Sequence, residues 1–300
     1  MDKKTILVTG SNGLLGQKIV NQLKEREDVH LIATSKGENR RLVKDFNYES
    51  LDITSEKEVE KIIAKHNPDV VINTAAMTNV DACEDHQEEC WDINVKAVDY
   101  LLQSSKKQNS HFIHLSTDFV FDGENGPYIE TDKPNPLSYY AKSKLASEEL
   151  IEQSGYEKTA VARTIIVFGT GDNLSRGNLI MWAKGALEKQ SPINVVDDQY
   201  RAPTLAEDLA KGCIAIADKD ANGIFHLSGP ETMSILEIVK RIGKHYNLST
   251  DCVTPIKTAI LNQNASRPSR TGFIIDKAKR ELDYNPLTLE QSLEFLDNQK

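Results

Sequence analysis

Thr5-Ile6-Leu7-Val8-Thr9-Gly10-Ser11-Asn12-Gly13-Leu14-Leu15-Gly16 is the stretch that decides the fold. Its first half is short, apolar and β-branched, the pattern of a buried strand. Glycines at 10, 13 and 16 follow, and from Leu14 to Arg26 the pattern becomes helical. Gly10 permits a tight turn, Gly13 lets a pyrophosphate approach the backbone, and Gly16 lets helix and strand pack closely. The helix start, with Ser11, Asn12, Leu14 and Leu15 around it, offers free N–H groups and a positive dipole end to phosphates. Glycine spacing alone is a weak signal, but here the strand before and the helix after supply the context it needs. The competing reading is an ordinary glycine turn.

Beyond this stretch the first half keeps alternating. Strands are expected at Leu31–Thr34, Val70–Asn73, Phe112–Ser116 and Ala160–Val167. Helices are expected at Glu56–His66, Cys90–Lys107 and Tyr139–Ser154. Short strands alternating with helices predict an α/β fold, a doubly wound parallel sheet covered on both faces. After Gly169 a Gly/Asp/Asn/Ser loop leads to elements at Leu179–Glu188, Ile193–Val196, Leu205–Ala217, Ile224–Leu227 and Ser234–His245. From Pro255 to Pro268 the chain reads mostly as loop. We therefore expect a dinucleotide-binding domain over 1–168 and a smaller α/β substrate domain over 169–300, with 204–228 as the segment that can return to the first.

The chain has 300 residues, with 36 Lys+Arg against 45 Asp+Glu and a net charge of −9. An acidic whole gives no electrostatic reason for general nucleic-acid or anionic-membrane binding. No apolar run approaches the roughly 18 residues of a membrane span. The apolar run at the start is too short for a signal peptide, so a cytoplasmic location is expected. Cys83, Cys90, Cys213 and Cys252 lack C-x-x-C or zinc spacing and read as free, small packing residues. His30, His66, His86, His111, His114, His226 and His245 are scattered and read as ordinary surface or core residues. No metal-ligand spacing is found.

The end of the second strand selects the dinucleotide. A site for an unphosphorylated ribose places Asp or Glu there to accept from the 2′-OH. This chain has Thr34, Ser35 and Lys36, followed by Arg40-Arg41. A hydroxyl and cations suit a 2′-phosphate, so NADPH is expected. Glu38 keeps NADH as the alternative, and Arg40-Arg41 can also be read as a solvated pair.

Ser138 is a good N-cap and Gly155 a good stop for a helix that holds Tyr140-Ala141-Lys142-Ser143-Lys144. Tyr140 and Lys144 are four apart and share one face. A nearby ammonium is expected to draw the phenol toward neutral pKa for proton transfer. Tyr-x-x-x-Lys alone is common in helices. It gains weight beside Ser116-Thr117-Asp118 at a strand's carboxyl end, where open parallel sheets bind ligands. A Thr117 hydroxyl there can bond a reacting carbonyl oxygen; the plainer reading is a capped turn.

Thr9–Gly16, Asn73-Thr74-Ala75-Ala76, Asn94, Ser116-Thr117 and Tyr140 with Lys144 together resemble the extended short-chain dehydrogenase/reductases. The resemblance implies a Rossmann-type NAD(P) domain followed by a small substrate domain. Five further segments are Asp81-Ala82-Cys83-Glu84, Ser116–Gly123, Asp198–Thr204, His226-Leu227-Ser228-Gly229 and Arg267-Pro268. They are similar to those of the dTDP-4-dehydrorhamnose reductase branch. This implies reduction of a keto group on a nucleotide-linked deoxysugar by NADPH. Tyr140 would give the proton, Lys144 would hold the nicotinamide ribose, and Thr117 would orient the carbonyl. Asp52, beside Ile53, would contact the adenine. Thr74, Ala75 and Ala76 would line the cofactor channel, and Asn94 would support the active-site backbone or a proton relay. Asp118, Phe119, Val120, Arg201 and Arg267 would face the sugar nucleotide. A homodimer is implied by the same analogy.

Three residues depart from that branch. Ile166 stands where Trp is usual, Arg201 where Gly is usual, and Phe119 where Tyr is usual. An Ile cannot stack on a sugar as an indole does. The departures bear on which sugar is used, not on hydride transfer. The alternatives are an epimerase or dehydratase on the same scaffold, or a cofactor-binding regulatory subunit. A dehydratase commonly adds Asp-Glu after the Thr, whereas this chain has Asp118-Phe119.

Overall fold

The computed structural model describes residues 3–299. Its centre is a parallel sheet of seven strands. Across it the order is Gly223–His226, Thr159–Thr164, His111–Thr117, Val70–Asn73, Lys4–Thr9, Val29–Ser35, Asn47–Ser50. The expected α/β architecture is present, with a smaller α/β region built mainly from later residues.

The apolar runs explain why this sheet is doubly covered. Successive side chains point to opposite faces. Ile6 and Val8 enter one core cluster and Leu7 the other. Val70 and Ile72 divide from Val71 in the same way. All six are fully buried, and burial of each such side chain contributes roughly 1.5–3 kcal/mol. An alternating polar pattern could not have served both faces.

From Lys4–Thr9 the chain builds outward in both directions, to Val29–Ser35 on one side and Val70–Asn73 on the other. In open sheets with such a switch point, ligands bind outside the carboxyl ends of the strands. Gly10, Ser35, Thr74 and Thr117 all stand at those ends.

The smaller region has its own core around Phe168, Ile180, Leu187, Ile238, Val239 and Leu293. Two of its strand pairs are parallel, Val167–Phe168 with Thr204–Leu205 and Ile193–Val196 with Val253–Ile256. A third, Tyr200–Arg201 with Met233–Ser234, is antiparallel. Helix Ala206–Asp218 packs back on helix Leu14–Lys24, and Gly223–His226 then extends the main sheet.

Several boundaries differ from the sequence reading. The expected strand Ala160–Val167 is broken. Thr159–Thr164 stays in the main sheet, while Val167–Phe168 joins the smaller region. Ile166 lies between them at φ 34°, a strained conformation for a β-branched residue. The expected helix Cys90–Lys107 begins at Gln87 and contains a π-helical turn over Asp92–Lys96. Asn47–Ser50 forms an unforeseen edge strand, because its polar side chains give no buried signal. Val253–Ile256, whose last two residues fall in the expected loop, is a strand against Ile193–Val196. Helices Asp276–Leu282 and Leu289–Asp297 were also unforeseen. The second carries a capping box, Thr288 with Gln291, a signal that was present in the sequence.

Candidate active site

The glycine turn is shaped by its backbone. Gly10 sits at φ 67°, and a Cβ there would lie 2.7 Å from the Ala75 nitrogen. A Cβ at Gly16 would lie 2.3 Å from the Gly10 carbonyl oxygen. Gly13 is the N-cap of helix Leu14–Lys24, and its N–H donates to the Gly10 oxygen at 2.9 Å. The Ser11 N–H donates to the Thr34 oxygen at 3.0 Å, tying the turn to the second strand. Asn12 Nδ2 donates to the Glu38 oxygen at 2.9 Å, while Asn12 Oδ1 accepts from the Arg40 N–H at 3.0 Å. This leaves a side-chain-free cradle at a helix N-terminus, which fits a pyrophosphate.

The expected 2′-phosphate residues separate. Ser35 is half-buried and Lys36 and Arg40 are exposed on the rim. Thr34 is fully buried and its hydroxyl donates to the Val8 oxygen at 3.2 Å. The Thr34 side chain therefore serves the sheet. Arg41 is buried and bonded to Asp172 at 3.0 Å and to Asn21 at 2.7 Å. Lys36 pairs with Asp52 at 2.7 Å, so the expected adenine and phosphate residues are neighbours. Ile53 is buried in a core cluster.

Thr74 donates to the Thr9 oxygen at 2.6 Å, and half-buried Ala75 and Ala76 follow. At the next strand ends, Ser116 Oγ and Thr164 Oγ1 are buried without a hydrogen-bond partner among the described residues. Unpartnered hydroxyls at the carboxyl edge are consistent with a ligand there.

Helix Tyr139–Gln153 brings the catalytic candidates in. The Ser138 side chain accepts from the Ala141 N–H, the expected cap, and Gly155 sits at φ 59°. Tyr140 and Lys144 are both buried; Tyr140 shares a side-chain hydrogen bond with Thr117. Burial pushes the Tyr140 phenol well above its ordinary value, and a side-chain hydrogen bond with Thr117 only partly opposes this. The expected pull toward neutrality is therefore corrected. Lys144 does not face the phenol; its Nζ lies 2.9 Å from His114 Nε2. Burial lowers the Lys144 ammonium to about 8, against the raising effect of Glu148 and Cys90.

Asn94 sits on the π-helical turn, which re-aims its side chain. Its Oδ1 accepts from the Met77 N–H at 2.9 Å, and its Nδ2 donates to the Met77 oxygen and to Ser143 Oγ, each at 3.0 Å. That is backbone support, one of the two roles expected of it. Cys83 and Cys90 are buried against Tyr140 in a small cluster.

The substrate candidates divide more sharply. Phe119 is half-buried and meets Tyr140 edge to face, with ring centroids 6.2 Å apart. Val120 is fully buried core. Asp118 is buried, accepts from Thr271 and from Thr117, and is pushed up by burial against the lowering effect of Arg201. Arg201, expected to face the sugar nucleotide, is 2% exposed. Its guanidinium donates to the carbonyls of Tyr200 and Pro268 at 2.7 Å and of Ser269 at 3.3 Å, and lies 5.4 Å from the Phe119 ring centre. With its N–H groups turned to these carbonyls, to Gln199 and toward the Asp118 carboxylate, the guanidinium is already engaged within the protein. Arg267 is engaged with Asp81 at 2.6 and 3.1 Å.

Sequence reasoning passed over His114, Asn73 and Ser143, which surround Lys144 and Tyr140. Asn73 was visible in its motif, but nothing local signals the role of a histidine inside an apolar strand.

A hydroxyl hydrogen-bonded to a buried phenol is an arrangement able to donate a proton. Comparison with known proteins agrees in family. A model described as the RmlD substrate binding domain matches residues 4–299. The dTDP-4-dehydrorhamnose reductase of Aggregatibacter actinomycetemcomitans is 29% identical over 96% of this chain and 96% of its own. The methionine adenosyltransferase 2 subunit beta of Danio rerio is 32% identical over 88% of this chain and 81% of its own. The crystal structure of a dTDP-4-dehydrorhamnose reductase from Clostridium acetobutylicum superposes with a TM-score of 0.85 at 29% identity, covering 98% of this chain and 99% of that one. The chain belongs to the RmlD family of the extended short-chain dehydrogenase/reductases.

Proposed function

We propose that this RmlD-family chain uses NADPH to reduce the 4-keto group of a nucleotide-linked deoxysugar, with dTDP-4-dehydrorhamnose, giving dTDP-rhamnose, as the leading candidate. The reading is supported chiefly by the hydrogen bond between Tyr140 and Thr117 at the carboxyl end of the sheet, with Lys144 one turn along the same buried helix face and the glycine turn around Gly10 and Gly16 at the same edge of the sheet. When bound, NADPH supplies the hydride. Thr117 holds the carbonyl oxygen beside Tyr140. Tyr140 then gives its proton to the alkoxide, completing the alcohol. A phenol kept protonated by burial suits reduction, because it stays a donor across neutral pH. Lys144 holds the nicotinamide ribose and supports the phenolate left behind. The absence of a carboxylate at Thr34-Ser35, with Lys36 and Arg40 on the rim, favours NADPH over NADH.

The test is a panel of 4-keto sugar nucleotides, each run with NADPH and with NADH. Oxidation of NADPH with at least one sugar is expected. No cofactor oxidation with any of them refutes the reading. The Danio rerio relative supports a second reading, a non-catalytic NADP-binding subunit. On that reading NADPH binds and no sugar is reduced.

A further inference from the structure

We propose that His114 is a positioning residue for Lys144, held by Asn73 in the one tautomer that can donate a hydrogen bond to the Lys144 amine. The inference concerns the same site and rests on the reductase reading only for its catalytic consequence.

The hydrogen bonds fix the donors. The Asn73 amide is anchored through Oδ1, which accepts from the Ala75 N–H at 3.2 Å and from the Thr9 hydroxyl at 2.6 Å. Asn73 Nδ2 therefore faces His114 Nδ1, 3.1 Å away, and donates to it. With Nδ1 accepting, the neutral ring carries its proton on Nε2. Ser147 Oγ donates to the Lys144 carbonyl at 2.6 Å, which leaves its lone pairs toward His114 Nε2 at 3.0 Å. Lys144 Nζ is the second neighbour of that nitrogen, at 2.9 Å. An ammonium has no lone pair. The single Nε2 proton is shared between Ser147 Oγ and Lys144 Nζ, and of the two forms of Lys144 only the neutral amine offers it a lone pair.

His114 is fully buried, and both burial and Lys144 hold its pKa well below the ordinary value, so a charged ring does not intervene. The other charged or titratable groups acting on Lys144 are Glu148 on its own helix and Cys90 on helix Gln87–Trp91; both favour the ammonium. Desolvation and the His114 N–H oppose them. Charging the amine turns the 2.9 Å contact into a meeting of two donors. His114 thus biases Lys144 toward the amine without abolishing the ammonium.

The test is nitrogen-15 NMR of the histidine rings in the labelled full-length protein, with no cofactor or sugar added. The His114 signals are assigned by their loss in His114→Gln. Expected are a bare Nδ1 and a protonated Nε2, with shifts that move through a midpoint near pH 8 as Lys144 titrates. Lys144→Met should abolish that midpoint. An Nδ1–H tautomer in the wild-type chain overturns the proposal, as does a midpoint that survives in Lys144→Met. Asn73→Asp supplies the converse, because a carboxylate demands a proton on Nδ1 and frees Nε2 to accept from the ammonium. In that variant the midpoint should rise, and where a sugar is reduced the pH profile of kcat should move with it. A midpoint that does not rise also overturns the proposal. Because the ring signals need no turnover, a chain that reduces no sugar refutes the reductase reading and leaves this test intact.

Discussion

Gly16→Ala isolates the phosphate cradle from every other feature of the site. Gly16 lies within helix Leu14–Lys24, without a positive φ, so alanine there suffers no conformational penalty. Helix propensity alone favours the change by about 1 kcal/mol. The cost is steric. The new methyl would stand 2.3 Å from the Gly10 oxygen and 2.7 Å from the Ser11 Cα, both backbone atoms of the turn. Ordinary carbon–oxygen contact is about 3.3 Å, so the turn must retreat by about 1 Å. Overpacking of this kind costs about 1–3 kcal/mol, and the helical gain offsets part of it. A displacement of about 1 Å at a binding backbone costs up to about 100-fold. NADPH affinity should therefore fall about 10- to 100-fold while the fold loses at most about 2 kcal/mol. The control is Gly185→Ala in helix Leu179–Glu188, where a Cβ meets nothing within 4 Å. It should stabilise by about 0.5–1 kcal/mol and leave binding unchanged. Fluorescence titration with NADPH and thermal unfolding read the two effects. A Gly16→Ala chain that binds NADPH like the wild type would refute the assignment of this turn to the pyrophosphate.

Tyr140→Phe should lower kcat by about 100- to 10,000-fold with NADPH binding little changed; normal turnover would remove Tyr140 as proton donor. Ser35→Asp should shift preference toward NADH by at least about tenfold, since a carboxylate there accepts from a ribose 2′-OH and repels a phosphate. The ratio of kcat/KM for the two cofactors measures it, and an unchanged ratio places the 2′-phosphate contact elsewhere. Burial holds His111 at about 4, His226 at about 3 and His114 well below its ordinary value. Below about pH 6.5 the unfolded chain binds protons that these rings refuse, so stability falls as pH drops toward 4. Three rings set an upper slope of about 4 kcal/mol per pH unit. Urea midpoints at pH 7 and pH 5 test this, and equal midpoints would contradict it.

What could be read from the chain alone was what is local. The run Val70–Asn73 and the helix Glu56–His66 have their whole cause within themselves, and both lie where expected. The four-residue spacing of Tyr140 and Lys144 foretold a shared face. It could not foretell that Lys144 would turn to His114, thirty residues away in sequence. Nor could local pattern show that Arg201 would be taken up by the Pro268 carbonyl, 67 residues on. A cation near an expected substrate region looks free until the chain that consumes it has folded back. The break at Ile166 was hidden for a related reason. Thr164 to Val167 is uniformly strand-forming, and only the departure of Val167–Phe168 to pair with Thr204–Leu205 imposes the turn.

Arg201 also limits the routes by which the wall around Phe119 and Asp118 can change. The resemblance drawn from the sequence sets a glycine at this position against Arg201. A single reversion to glycine would strand the Asp118 carboxylate, which has the Arg201 Nε 3.8 Å away, in a dry interior. It would also strip donors from the carbonyls of Pro268 and Ser269 and leave the Phe119 ring without its cover. No intermediate on that route keeps the wall intact unless Asp118 and the 268–269 turn change with it. Directed alteration of the pocket therefore starts more readily from Phe119, whose ring is partly exposed and carries no charge to be balanced.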